Sequence, residues 1–152
     1  MKFERFFGGV VLIGAVLAMG LFVCEQYWYL GFVPPQIRTA GAVRISGKSG
    51  FLSGCGVAIF HLSTATRDAI RRQGLAFLGP ARAARQTTYE FWHETPMRAE
   101  MLGGMNCASL SRSLSDDVYK GAEKPGSYYA MEGQTILLVI PESKLVVFSY
   151  LD

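Results

Sequence analysis

TILLVIPESKLVVFSY, residues 135–150, is two apolar runs joined by a short polar turn. Thr135 to Ile140 and Lys144 to Tyr150 are rich in β-branched and aromatic side chains, which suit a pleated, half-buried surface. Pro141-Glu142-Ser143 between them supplies the reversal, so the stretch predicts a β-hairpin. Ile136 to Ile140 is apolar throughout and does not alternate with polar residues. That pattern predicts a central strand covered on both faces.

Working outward, Ser127 to Met131 reads as a further strand. Leu110, Leu114, Val118 and Ala122 recur every four residues, which places them on one face of a helix covering much of 109–123. Pro125-Gly126 ends that helix. Upstream, the short apolar run Val57 to Leu62 predicts a strand. Ser63 is a suitable cap for a helix from Thr64 to Gln73, with Gly74 as its stop. Gly79-Pro80 predicts a short helix through Arg85, with proline at its first position. TTYEFWH, residues 87–93, is β-prone, and Thr95 to Asn106 reads as a loop because of Pro96 and the Gly103-Gly104 pair. Helices segregated against a mostly antiparallel sheet predict an α+β domain with two or three helices over residues 51–152. Residues 25–50 read as an extended linker, since Pro34 and Pro35 fix their own φ and disfavour helix in the residue before them.

The strongest signal lies at the other end. FFGGVVLIGAVLAMGLFVC, residues 6–24, carries no charge over nineteen positions. A helix of that length rises about 28 Å, close to the hydrocarbon thickness of a bilayer. Tyr27, Trp28 and Tyr29 follow, amphipathic rings of the kind that settle at the membrane interface. A cleaved signal peptide would use Val16-Leu17-Ala18, but apolar residues continue beyond it. A lipoprotein signal would use Cys24, but Val23 stands where a small residue is required. The pattern therefore predicts an uncleaved transmembrane signal anchor over 6–24. Lys2 and Arg5 precede it, and no basic residue follows until Arg38. The positive-inside bias then places residues 1–5 in the cytoplasm and the domain on the periplasmic or extracellular side of the cell membrane.

Charge excludes some functions. The 152 residues include 15 basic and 12 acidic side chains, a net charge of +3 without any block of like charges. Such a chain has no basic tract for a nucleic-acid backbone, so no nucleic acid is expected as a partner. Gly47-Lys48-Ser49 resembles the close of a phosphate-binding loop. However, five residues separate Gly41 from Gly47 where the motif has four, and Gly50 and Gly54 make a poor helix start. No nucleotide and no other cofactor is expected, and GKSG reads as a turn.

Cys55 and Cys107 are the cysteines of the domain, and outside the cytoplasm they form a disulfide candidate. Free, either would be a possible nucleophile served by His61 or His93. No metal is expected, because neither C-x-x-C nor H-x-x-x-H spacing occurs. His61 alternates with Ile59 and reads as a partly buried structural histidine. Trp92-His93-Glu94 is the densest polar-aromatic cluster. It offers an acid–base pair and a stacking ring, although adjacent strand residues point to opposite faces. Trp92 with Tyr128 and Tyr129 would suit a cell-wall ligand on aromatic content alone. Arg67 and Arg71, four apart, share a helix face that could meet an acidic partner or lipid headgroups.

These features predict a single-pass membrane protein, with the lipid bilayer as one partner through residues 6–24 and a protein as another. The domain is expected to be a binding or accessory module for a larger membrane or envelope complex. The alternative is a small extracytoplasmic hydrolase or thiol enzyme using His93 with Glu94, or a free cysteine.

Overall fold

The computed structural model describes residues 2–49 and 54–151, with side-chain surroundings from Val11 onward except at Ser49. It divides into two compact units, Met1–Leu30 and Gly31–Asp152. The first is one helix, α1, Lys2–Leu30. Its stretch Val11–Leu30 is long and apolar enough to cross a membrane. Val11, Leu12, Ile13, Val16, Leu17, Met19 and Leu21 are all exposed. Gly14 and Gly20 would weaken such a helix in water. In hydrocarbon, where backbone groups find no other partner, helix is the conformation that remains.

The second unit is α+β. In chain order it holds β1 (Thr39–Ser49), β2 (Gly54–Leu62), α2 (Thr64–Gln73), α3 (Leu75–Leu78), β3 (Ala81–Arg82), β4 (Thr88–Tyr89) and β5 (Trp92–Glu94). Two 3₁₀ turns (Ala99–Met101 and Gly103–Cys107), α4 (Arg112–Glu123), β6 (Tyr128–Glu132), β7 (Thr135–Ile140) and β8 (Leu145–Leu151) follow. Six strands form one sheet in the order β1-β2-β8-β7-β6-β5, while β3 and β4 form a separate ribbon. All neighbours in the sheet are antiparallel.

The hairpin of 135–150 is its centre. Leu138 faces Val147 and Leu137 faces Phe148 across the β7–β8 pair, and all four are buried. Successive residues point to opposite faces, so both sides of these strands need a cover. On one side Val57, Ile59, Ile136, Leu138, Ile140 and Val147 pack with Val118 and Ala122 of α4 and with Leu102 and Met105 of the 3₁₀ turns. Ser111 starts α4 by accepting from the Leu114 N–H at 3.4 Å. Gly121 lets the helix approach: a Cβ there would lie 2.6 Å from two carbons of Ile140.

The other side is covered piecemeal. Phe32 stacks on Phe148 with ring centroids 4.6 Å apart. The junction of α2 and α3 lies over Tyr128, whose hydroxyl would be 3.3 Å from a Cβ on Gly74. The Gln36 amide donates to the Leu78 carbonyl at 2.9 Å. Helices thus lie on both faces of the sheet, which corrects the expectation of a segregated layer. Ser63 caps α2 as expected, accepting from the Thr66 N–H at 3.2 Å.

Other expectations are corrected. The linker expected over 25–50 is not free-standing. Residues 25–30 continue α1, Val33 and Ile37 are buried, and Thr39–Ser49 is the edge strand β1. The prolines do not keep the backbone extended: Pro34 to Ile37 is a turn, closed by the Ile37 N–H donating to the Pro34 carbonyl at 2.9 Å. The domain starts at Gly31, not at 51, and Phe51 lies outside the described residues. No helix follows Gly79-Pro80. Ala81 pairs with Tyr89 instead, and both are buried. The strand expected over 87–93 is split between β4 in the ribbon and β5 at the sheet edge. The loop of 95–106 contains both 3₁₀ turns. There Gly104 is pressed so closely on the Gly56 and Tyr150 carbonyls that no side chain would fit.

Candidate functional site

Gly47-Lys48-Ser49 proves to be strand, with Gly47 opposite Gly56 and Lys48 opposite Cys55. Gly50, the last residue of the expected turn, lies outside the described residues. A Cβ on Gly47 would lie 2.7 Å from the Cys55 carbonyl and 2.8 Å from the Tyr150 hydroxyl. The glycine is needed because Tyr150 lies across this strand pair. An extended strand does not curl its N–H groups around a phosphate.

Cys55 and Cys107 are joined as a disulfide, with Cα atoms 5.8 Å apart. The bond ties the start of β2 to the second 3₁₀ turn, and neither sulfur is a free thiol in this form. Cys24 in α1 is free. His61, at the end of β2, is exposed, contrary to the expected partial burial.

The cluster Trp92-His93-Glu94 is divided by the sheet. His93 pairs with Tyr129 across β5–β6, their rings 5.4 Å apart, on the side of the sheet that α4 covers. Trp92 and Glu94 point to the other side, opposite Ala130 and Tyr128. The Trp92 ring lies 5.9 Å from that of Tyr89, and its indole N–H is buried without a hydrogen-bond partner. His93 and Glu94 therefore do not converge on one proton. Trp92 and Tyr128 share a face, but Tyr129 does not.

Arg71 comes instead to a cleft of about 370 Å³. Arg71 of α2, Lys120 of α4, Lys124 just after that helix, Tyr128 of β6 and Glu142 line it. Glu94 reaches its rim by accepting from the Gly126 N–H at 3.2 Å. Burial, and then the negative charge of Glu94, raise the Tyr128 hydroxyl above its ordinary pKa, so it stays a proton donor at neutral pH. Arg71 and Lys120 lie in the last turns of α2 and α4, where cations offset the partial negative charge of helix C-termini. Arg67, expected to act beside Arg71, is paired with Asp68 at 2.7 Å. The cleft can hydrogen-bond a polar ligand, and no histidine is among the residues that line it.

Lys120, Lys124 and Tyr128 were not legible as one site. Lys120 lies in the last turn of α4 and Lys124 just beyond it, and that they line one cleft with Arg71 of α2 depends on tertiary placement. Among the described residues, no group of three or more His, Cys, Asp or Glu side chains is placed to hold a metal ion. Neither a family model nor a curated protein nor a solved structure matches this chain.

Proposed function

We propose that the chain is a single-pass membrane protein whose N-terminal helix anchors a small extracytoplasmic binding module, an accessory part of a larger membrane or envelope complex. The observation that carries this reading is the junction between the two units. The apolar stretch Val11–Leu30 ends at Leu30, and Phe32 is already stacked on Phe148 in the domain. The candidate cleavage site Val16-Leu17-Ala18 lies inside α1, and the apolar stretch runs on past it to Leu30 without a break before the domain, which favours a retained anchor over a removed signal. Lys2 and Arg5 ahead of the helix favour a cytoplasmic N-terminus and a periplasmic or extracellular domain.

Several features support binding over catalysis. The cysteines are bonded to each other, His93 and Glu94 diverge, and the cleft beside Tyr128 offers hydrogen-bonding and charged groups. The test is affinity purification of the full-length tagged chain in mild detergent, with mass spectrometry of what accompanies it. A stoichiometric membrane companion is expected. A chain that comes out alone, and that hydrolyses model esters or peptides in a His93-dependent way, would favour the hydrolase instead.

A further inference from the structure

The chain leaves α1 at Leu30 and is tied to the β3–β4 ribbon at the next two residues. The Arg85 N–H donates to the Gly31 carbonyl at 2.9 Å. The Tyr89 hydroxyl donates to the Phe32 carbonyl at 3.0 Å. The Arg85 guanidinium carbon lies 5.8 Å from the centroid of the Phe32 ring. The turn between the two strands is itself closed, by bonds from the Ala83 N–H to Thr87 and from the Gln86 N–H to Ala83. The hairpin is therefore fixed to the first residues of the domain, whatever angle the domain takes to the helix.

Connectivity then sets a depth. Neighbouring Cα atoms are about 3.8 Å apart, so Gly31 is next to the end of α1 by covalent geometry alone. Tyr27, Trp28 and Tyr29, the interfacial aromatics, immediately precede it. A turn bonded to Gly31 is held at the same level. Its sequence, ARAARQT over residues 81–87, contains two arginines and no acid. Arg82, Ala84, Arg85 and Gln86 are exposed. Just beyond the turn, the Glu132 carboxylate accepts from the Thr88 N–H at 2.7 Å.

We infer that the hairpin turn of residues 82–87 rests in the headgroup layer of the membrane, where Arg82 and Arg85 bind the phosphates of anionic lipids. The inference rests on the reading of α1 as a membrane anchor. Guanidinium groups suit this role because they match phosphate oxygens in a two-pronged geometry and keep their charge at every physiological pH. The contact gives the tethered domain a preferred face toward the bilayer.

The test uses the full chain reconstituted in nanodiscs of phosphatidylcholine, with and without phosphatidylglycerol. A fluorophore is placed at Ala84→Cys in a Cys24→Ser background, and a control label at Glu142→Cys. Glu142 lies in the turn at the opposite end of β7 from Glu132. Nitroxide carried on lipid headgroups should quench the label at 84 at least about twofold more than the label at 142, because collisional quenching is local. Phosphatidylglycerol should also raise the unfolding midpoint of the wild-type domain by about 2–4 °C, and high salt should abolish the gain. Arg82→Gln/Arg85→Gln should lose that gain. A chain that fails to enter nanodiscs overturns the anchor and this inference with it. A chain that enters, but shows equal quenching at both positions, overturns the headgroup contact alone. Strong quenching at 84, with the same midpoint shift in wild type and double variant, overturns the role of the arginines.

Discussion

On one face of the sheet a single twelve-residue helix sets Val118 and Ala122 onto the central strands, close enough to require glycine at 121. On the opposite face Phe32, Tyr89 and the α2–α3 junction arrive from three separated stretches of chain. With Met97 and the 3₁₀ turns before the helix, the first cover is one continuous stretch of chain, held by close packing and tied to β2 by a disulfide. The second is assembled from short pieces, held by stacked rings and single hydrogen bonds. One face therefore concentrates its stability in a few positions, and the other spreads it over many.

The contrast can be broken most severely on the α4 side. Replacing Cys55 and Cys107 together by alanine should lower stability by about 4 kcal/mol, since the bond closes a loop of 52 residues. Urea denaturation would read this as a lower midpoint. Gly121→Ala should follow at about 2–3 kcal/mol, because Ile140 presents two carbons to the new Cβ and α4 must lift away. A loss below about 0.5 kcal/mol would mean that the helix is not seated as closely as described.

Single changes on the patchwork side should cost less. Tyr89→Phe removes one hydrogen bond to the Phe32 carbonyl, a loss of about 1 kcal/mol. Tyr89 also carries a pH signature. Burial, and then the charge of Glu132, raise its hydroxyl well above the ordinary value of 10.0. The folded state thus keeps a proton that the unfolded chain releases, and stability should fall as pH rises above 10.0. Tyr89→Phe should flatten part of that alkaline loss, measured by urea midpoints from neutral to alkaline pH. Smallest of all, His93→Ala should change stability by less than about 0.5 kcal/mol, since the side chain is exposed on an edge strand. A larger loss would show that its ring contact with Tyr129 matters to the face that α4 covers.

The same contrast explains what could be read beforehand. The β7–β8 hairpin was legible because five consecutive apolar residues can hardly be anything but a covered strand. Helix α4 was legible because Leu114, Val118 and Ala122 keep a four-residue spacing, although Leu110, read with them, lies before the helix begins. Each carries its pattern within itself. The pieces of the other face do not: β3 and β4 are two residues each, too short for any period. Residues 31–38 look like a tether because of Pro34 and Pro35, while Phe32, Val33 and Ile37 find their purpose only against the sheet. Strand β1 was hidden by Gly41 and Gly47, which weaken the strand signal, and Gly47 is explained only by Tyr150 lying over it.

The candidate cleft was half legible. Arg71 and Glu94 were singled out, but for other partners. Glu94 reaches Tyr128 through the β5–β6 pairing and Arg71 lines the same cleft as Tyr128 from α2, which no local pattern encodes. The split between His93 and Glu94 was foreseeable from strand geometry. The disulfide followed from compartment and cysteine count.

The most direct test of the anchored-domain reading is alkaline carbonate extraction of membranes from cells expressing the chain, with mass spectrometry of the N-terminal region. An anchored domain stays in the pellet with residues of α1 still attached. A domain found in the soluble fraction that lacks residues 1–18 or more of the N-terminal helix would contradict the reading and make that segment a removed signal.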